Sequence, residues 1–334
     1  MSETDSNDLE IQKVQEIQIL NQRLLELFPR LVTDGPGVEC EEVGSGMAGR
    51  VYKILGVEMD KKPVAVKLFS KEQFGGNKGE FAYFRDFKDE MAKYPGLLKV
   101  FGVEKFIHEG KQFGAVLMEY CEKGDMETLL EENPGEARMI MIENFIPILC
   151  AVSAIHAQSR VHRDLKPRNI FIRGDNSLVI GDFGFMTYLE NSDDLHGTPI
   201  FMAPEMIISK SSNSYKTDIW ALGMTMIYIV SGGMNIIQGE EMSLDEYIPK
   251  EFVGIMKDED HVRNKIKLII ESIMTAVPNI SYVEAMSNMC SYYPAERSSP
   301  EQIIKHIEQK KLEKTMEKEF EKPEKEVIGP DSKE

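Results

Sequence analysis

The run His162-Arg163-Asp164-Leu165-Lys166-Pro167-Arg168-Asn169, followed downstream by Asp182-Phe183-Gly184, carries the side chains best equipped for chemistry in this chain. A carboxylate can orient and deprotonate an alcohol, and an amide oxygen with a second carboxylate can hold a divalent cation against a triphosphate. Asp164 fits the first role; Asn169 and Asp182 fit the second. Phosphoryl transfer asks little more of a protein than such positioning and charge neutralisation. Upstream, Gly44-Ser45-Gly46-Met47-Ala48-Gly49-Arg50-Val51 reads G-x-G-x-x-G-x-V, a spacing that lets a hairpin backbone close over phosphate oxygens. By itself G-x-G-x-x-G is a weak signal, because dinucleotide-binding folds share it. Those folds need a helix directly after the glycines. Here Arg50 to Leu55 alternates like a strand, and Val64-Ala65-Val66-Lys67 reads as the next one, so the dinucleotide reading is rejected. Lys67, on a strand behind the glycine hairpin, would reach the α- and β-phosphates.

With Ala203-Pro204-Glu205 and Asp218-Ile219-Trp220-Ala221-Leu222-Gly223 added, the set resembles the eukaryotic-type serine/threonine protein kinases over about residues 38–309. The resemblance implies an α+β, two-lobed fold, with a small β-rich N-lobe (38–118) and a larger helical C-lobe (122–309). It implies ATP as phosphoryl donor, Mg²⁺ as cofactor and protein hydroxyls, serine before threonine, as acceptors. Asp164 would orient the acceptor, Lys166 would neutralise charge at the γ-phosphate, and Thr198 would bridge those two. Gly44, Gly46 and Gly49 would cover the phosphates, and Val51, Ala65 and Phe171 would sandwich the adenine. In Met118-Glu119-Tyr120-Cys121, which resembles the hinge, the backbone of Glu119 and Cys121 would bond the adenine edge, with Asp125 near the ribose. Arg297 would pair with Glu205. Lys67 needs a carboxylate partner, for which Glu80 and Glu90 are candidates. Glu80 is preferred, because Phe84, Phe87 and Met91 form an apolar face alongside it, whereas Glu90 stands just before Tyr94-Pro95, where the helix should end.

Departures from the family pattern carry information too. Arg168 occupies a position where basophilic members carry glutamate, and it would repel an arginine upstream of the acceptor. Asp125, Glu127, Glu131 and Glu132 would attract basic peptides at longer range, but salt screens that attraction within about 8–10 Å. Lys166 marks the serine/threonine class, and Phe185, after D-F-G, biases toward serine. Where relatives carry an activating phosphosite, this chain has Asp193-Asp194, with Ser192 just before. Asp194 would pair with Arg163 without modification, or the stretch is a solvated acidic turn. Asn169-Ile170-Phe171 and Ile180-Gly181-Asp182-Phe183-Gly184 lean toward the NIMA-related and Polo-like groups. A scaffold that has lost catalysis usually lacks one of these polar groups, and none is missing apart from the helix glutamate, for which two candidates stand. A small-molecule kinase of related fold is disfavoured by Gly197-Thr198 and the complete A-P-E segment.

The elements that must hold these residues are legible in outline. Residues 1–8 read as disordered, and residues 9–32 as an amphipathic helix with Ile17, Leu20, Leu24, Leu27 and Leu31 on one side. Leu9 to Leu31 spans about two heptads, short of the three or four that argue for a coiled coil, so packing on the chain's own domain is favoured over dimerisation. Gln302 to Met316 reads as helix, and residues 310–334 form a charged tail. Residues 232–279 match no pattern. The net charge of −17 argues against nucleic acid or an anionic membrane as the main partner. The four cysteines, Cys40, Cys121, Cys150 and Cys290, contain no C-x-x-C pair, so neither zinc nor a disulfide framework is expected. The acidic N-terminus lacks a signal-peptide pattern, and the apolar run Phe145 to Ile155 is too short to cross a bilayer. A soluble cytoplasmic protein is the expectation.

Overall fold

The computed structural model describes residues 3–31, 38–46, 49–71, 79–189, 196–209, 214–237, 248–277 and 280–320. Strands β1 (Cys40–Gly46), β2 (Gly49–Met59), β3 (Lys62–Ser70), β4 (Val100–His108) and β5 (Lys111–Glu119) form one antiparallel sheet in the order β1-β2-β3-β5-β4. Every residue of β3 from Val64 to Phe69 is buried, because both faces of the sheet are covered. Val64, Val66 and Leu68 face α1 (Glu3–Leu27), while Ala65 and Phe69 face the cleft and α2 (Glu80–Met91). The period of two along a strand thus divides the N-lobe into two apolar layers.

Helix α1 lies on the outer layer. Leu20, Leu24, Phe28 and Leu31 are buried there against Tyr52, Ile54, Val66 and Leu117. The helix begins at Glu3, within residues expected to be disordered, and it ends at Leu27. Beyond that end the chain tightens, with the Leu31 amide donating to the Phe28 carbonyl. Phe28, four residues past Leu24 and still bonded to its carbonyl, is buried against the sheet, while Leu27 stays only partly buried. Gly102 makes room for it: a Cβ there would sit 2.7 Å from the Phe28 ring, at the point where the β4–β5 register slips.

The C-lobe is built on α4 (Pro134–Ala157) and α6 (Tyr215–Ser231), with α3 (Met126–Glu132), α5 (Pro204–Ser209), α7 (Lys250–Lys257), α8 (Glu259–Ala276), α9 (Ile280–Met289) and α10 (Pro300–Phe320) around them. Helix α4 is long and apolar enough to cross a bilayer, longer than the Phe145–Ile155 run indicates. Its Ile140, Phe145, Ile148, Leu149, Val152 and Ile155 are instead buried in the lobe. Residues 232–279, which matched no pattern, contain α7 and α8. Helix α8 buries Val262, Ile266, Ile269, Ile270 and Ile273 at helical spacing, so this stretch belongs to the lobe's core. Residues 238–247 lie outside the described residues. Helix α10 carries the lobe past residue 309, with Ile303 and Ile307 buried, and most of the expected tail, from residue 321, is also outside them.

Leu24→Ala is expected to cost about 2–5 kcal/mol, because it leaves a cavity between α1 and the sheet. Val14→Ala on the exposed side should stay within about 0.5 kcal/mol. Urea unfolding of both variants checks the contrast.

Candidate active site

The loop after β6 (Arg160–Val161) hangs from one buried carboxylate. Asp218, in the first turn of α6, accepts the backbone N–H of His162 at 2.8 Å and of Arg163 at 2.9 Å, and bonds His156 Nε2 at 2.9 Å. Burial alone would raise its carboxyl, but the His156 bond, the two histidines and the Arg163 N–H outweigh it and hold the group below the usual carboxylate range. Arg163 takes the left-handed conformation, φ 72°, which turns its amide toward Asp218. Asp164 follows directly and is buried.

Around Asp164 three polar side chains converge. Asn169 Nδ2 donates to its carbonyl at 2.7 Å and to Oδ2 at 3.0 Å. Lys166 Nζ lies 2.8 Å from Oδ2 and donates to Thr198 Oγ1 at 3.0 Å, and that hydroxyl donates to Asp164 Oδ1 at 3.2 Å. With Nδ2 committed to Asp164, the Asn169 side-chain oxygen is left for another ligand. The Gly181 amide donates to the Asn169 carbonyl at 3.0 Å, which ties Asn169 to the residue before Asp182. Asn169 and Asp182 offer the hard oxygen donors that Mg²⁺ takes, and among the described residues no group of three or more His, Cys, Asp or Glu could cage a metal. A cation at this pair would complete its shell with substrate oxygens. That is the form of site Mg²⁺ usually adopts.

Lys67 Nζ donates to Glu80 Oε2 at 2.6 Å in a buried pair. Burial pushes the Glu80 carboxyl up, Lys67 opposes this, and the charge of Asp182 adds to it. Glu90, the alternative, instead makes an exposed bond to Lys93. Helix α2 is held in place by the Phe183 ring, which packs against Tyr83 at 4.9 Å, Phe84 at 5.5 Å and His162 at 5.6 Å. Phe183 is fully buried while Asp182, next to it and left-handed at φ 52°, is exposed in the cleft.

The cleft between the lobes encloses about 550 Å³. Gly44, Gly49, Val51, Ala65 and Lys67 line it from the sheet, with Glu119, Cys121, Asp125 and Phe171 at the far side and below. Gly46 ends β1 opposite Gly49 across the hairpin. Leu98 and Tyr120 also line it; Tyr120 belongs to the hinge run, whereas Leu98, a single apolar residue outside any motif, gave no signal in the sequence. Two of these residues also serve the fold. A Cβ on Gly49 would collide with the Leu68 carbonyl oxygen, so the neighbouring strand requires the glycine as well. The carboxylate of Asp125, which lines the cleft, also N-caps α3, accepting from the Glu127 and Thr128 amides. At the hinge, the Glu119 side chain turns away from the cleft to Lys62 at 2.6 Å and Arg173 at 2.6 Å, and accepts the Lys99 amide. Arg173 was invisible to motif reading and fastens the hinge to the C-lobe. The Cys121 carbonyl accepts from Gly124, while its N–H donates to no backbone carbonyl among the described residues. Burial raises the Cys121 thiol to about 12, so it stays protonated at neutral pH.

Below the cleft, Arg163 Nε donates to the Phe185 carbonyl at 2.7 Å, and the Phe185 ring stacks on His196. Ser192, Asp193 and Asp194 lie outside the described residues. Arg297, almost fully buried, makes a two-pronged pair with Glu205 at 2.6 and 2.8 Å under the Trp220 ring.

The protein kinase domain family model matches residues 38–307. The chain belongs to this family. The serine/threonine-protein kinase Nek4 of Mus musculus is 30% identical over 199 residues, which cover 57% of this chain and 22% of that protein. The serine/threonine-protein kinase Nek11 of Homo sapiens is 28% identical over 259 residues, covering 70% of this chain and 39% of Nek11. The serine/threonine-protein kinase ppk11 of Schizosaccharomyces pombe is 26% identical over 277 residues, 80% of each chain. This kinase domain thus spans well under half of Nek4 and Nek11. Likeness to Nek4 and Nek11 accords with the NIMA-related leaning of the motifs.

The hinge cluster gives a pH signature. Burial would raise Glu119, but Arg173 and Lys62 hold it below its ordinary value of 4.5. A depressed carboxylate contributes stability above the unfolded value and loses it as pH falls through the folded one. Glu119→Gln should therefore be less stable than wild type at pH 7, with the gap narrowing below pH 4.5. Chemical denaturation at pH 7 and at acid pH measures it.

Proposed function

We propose that the chain is a serine/threonine protein kinase that transfers the γ-phosphoryl group of ATP to protein hydroxyls, with Mg²⁺ as cofactor. The observation that carries this reading is the convergence of Lys166, Thr198 and Asn169 on Asp164, at the foot of a cleft whose sheet side holds the Lys67–Glu80 pair. Asp164 accepts the proton of the acceptor hydroxyl and aims its oxygen at the phosphorus. Lys166, held by Thr198, offsets charge growing on the transferred group. Lys67, kept from swinging by Glu80, holds the non-transferred phosphates. Mg²⁺ held by Asn169 and Asp182 would neutralise phosphate oxygens. The unengaged Cys121 N–H and the apolar Val51, Ala65 and Phe171 suit the edge and faces of a purine.

Two features support a substrate preference. Phe185 lines the cleft directly after Gly184, which supports serine over threonine. Arg168 is exposed on the same turn as Asn169, and its charge acts on Glu127, offsetting the acidic group that would otherwise attract an upstream arginine. The acceptor is therefore a serine without an obligatory upstream arginine. Asp194 as a built-in substitute for loop phosphorylation is part of the same proposal. Four free cysteines suit a reducing, cytoplasmic setting.

With radiolabelled ATP, Mg²⁺ and a generic serine substrate, Asp164→Ala is expected to lower kcat by about 10²–10⁴-fold. Nucleotide-dependent thermal stabilisation without transfer by the wild type would replace catalysis with a scaffold role. Paired peptides should react faster with Ser than with Thr, and about equally with or without an arginine three residues upstream. Equal Ser and Thr rates, or a strong arginine requirement, would remove those two preferences.

A further inference from the structure

The outer layer of the N-lobe holds a polar contact that the catalytic reading leaves unused. Along β2, Val51 lines the cleft, while its two neighbours, Arg50 and Tyr52, turn to the opposite face. Both meet the same side chain on α1. Glu16 Oε1 pairs with Arg50 at 3.1 Å, and Glu16 Oε2 accepts the Tyr52 hydroxyl at 2.6 Å. The contact is shielded: the Glu16 and Arg50 side chains are 14% and 13% exposed, and Tyr52 is fully buried. One turn away on α1, Lys13 pairs with Glu42 of β1 at 3.3 Å, so both strands of the glycine hairpin are tied to one helix. The helix is in turn locked to the sheet by Leu20, Leu24 and the Phe28 ring, for which Gly102 leaves room.

The mechanical consequence is specific. Arg50 follows Gly49, where β2 begins and pairs back with Gly46. β1 is the sheet's edge strand, held by β2 alone, while β2 also pairs with β3 from Arg50 to Ile54, so the lean of the hairpin over the cleft depends on what packs against its outer face. Here the residues on either side of Val51 are clamped from above by one carboxylate. Val51 and Gly49 are thereby held at a fixed height over the cleft. Loss of the clamp would remove the one carboxylate that both side chains meet, which favours a shift of the strand.

We propose that Glu16 is a positioning residue for nucleotide binding: through Arg50 and Tyr52 it holds the glycine hairpin down over the cleft, so α1 is a working part of the nucleotide site. The inference rests on the phosphotransfer reading above. Its effect falls on ATP and not on the peptide or the proton transfer, because Asp164, Lys166 and Thr198 belong to the other lobe.

The test uses the full chain and compares wild type with Glu16→Gln, Tyr52→Phe and the double variant, measuring kcat and the KM values for ATP and peptide. Glu16→Gln is expected to raise the ATP KM roughly 3–10-fold, with kcat and peptide KM within about twofold. The double variant should raise it by less than the product of the single effects, since both act through one contact. An unchanged ATP KM in an active Glu16→Gln protein overturns the inference. So does a fall in kcat and melting temperature with the ATP KM intact, which marks a merely structural role. Should Glu16→Gln fail to fold, Tyr52→Phe, which loses one hydroxyl, decides on the same criteria. A wild type that neither transfers phosphate nor binds a fluorescent ADP analogue removes the phosphotransfer reading itself, and this inference with it.

Discussion

A carboxylate buried away from water is costly unless its charge is met by donors, and in this fold that cost becomes a positioning device. Asp218 sits at the start of α6, the most deeply buried helix of the C-lobe, and its oxygens are met by two consecutive backbone amides and a histidine ring. Those amides are available only because Arg163 adopts a left-handed conformation, which bends the chain and delivers Asp164 to the foot of the cleft. The loop geometry is thereby set from inside the core. Lys166, Thr198 and Asn169 then refine the position of a carboxylate already held by its backbone.

Two further charge pairs repeat this logic at other joints. Arg297, nearly excluded from solvent, meets Glu205 with both guanidinium prongs and three backbone carbonyls with the rest of its donors, so the segment after Thr198 is fastened to the C-lobe. Arg173 and Lys62 approach Glu119 from opposite lobes and turn the hinge residue outward, leaving its backbone at the cleft. The Lys67–Glu80 pair differs in kind. Burial works against the Glu80 charge, and the pair persists because Phe183, packed between α2 and His162, keeps that helix close.

The parts read correctly from sequence are those whose meaning is local. Lys67 on a strand, Asn169 five residues from Asp164, and Glu80 beside an apolar helical face follow from spacing and period alone. The choice of Glu80 over Glu90 rested on which face of α2 turns inward, and the buried Phe84, Phe87 and Met91 bear it out. Motif reading did not show what else some residues answer to. Asp125 also caps α3, Gly49 also clears the Leu68 carbonyl, and Phe28, absent from the expected apolar face, is buried with Leu27 only partly so.

The sequence by itself determined the order of the motifs and the polar groups they carry, because short spacings act over a few residues, and the two-lobed fold came with the resemblance that those motifs bear to the protein kinases. Only the tertiary structure decided which partners those groups meet. The choice of Asp218 as the loop's anchor, the capture of Glu119 by Arg173, and the meeting of Glu16 with Arg50 and Tyr52 join residues 34 to 62 positions apart. Such contacts depend on how helices and sheet stack, and burial then fixes them, since a shielded charge accepts few alternative partners.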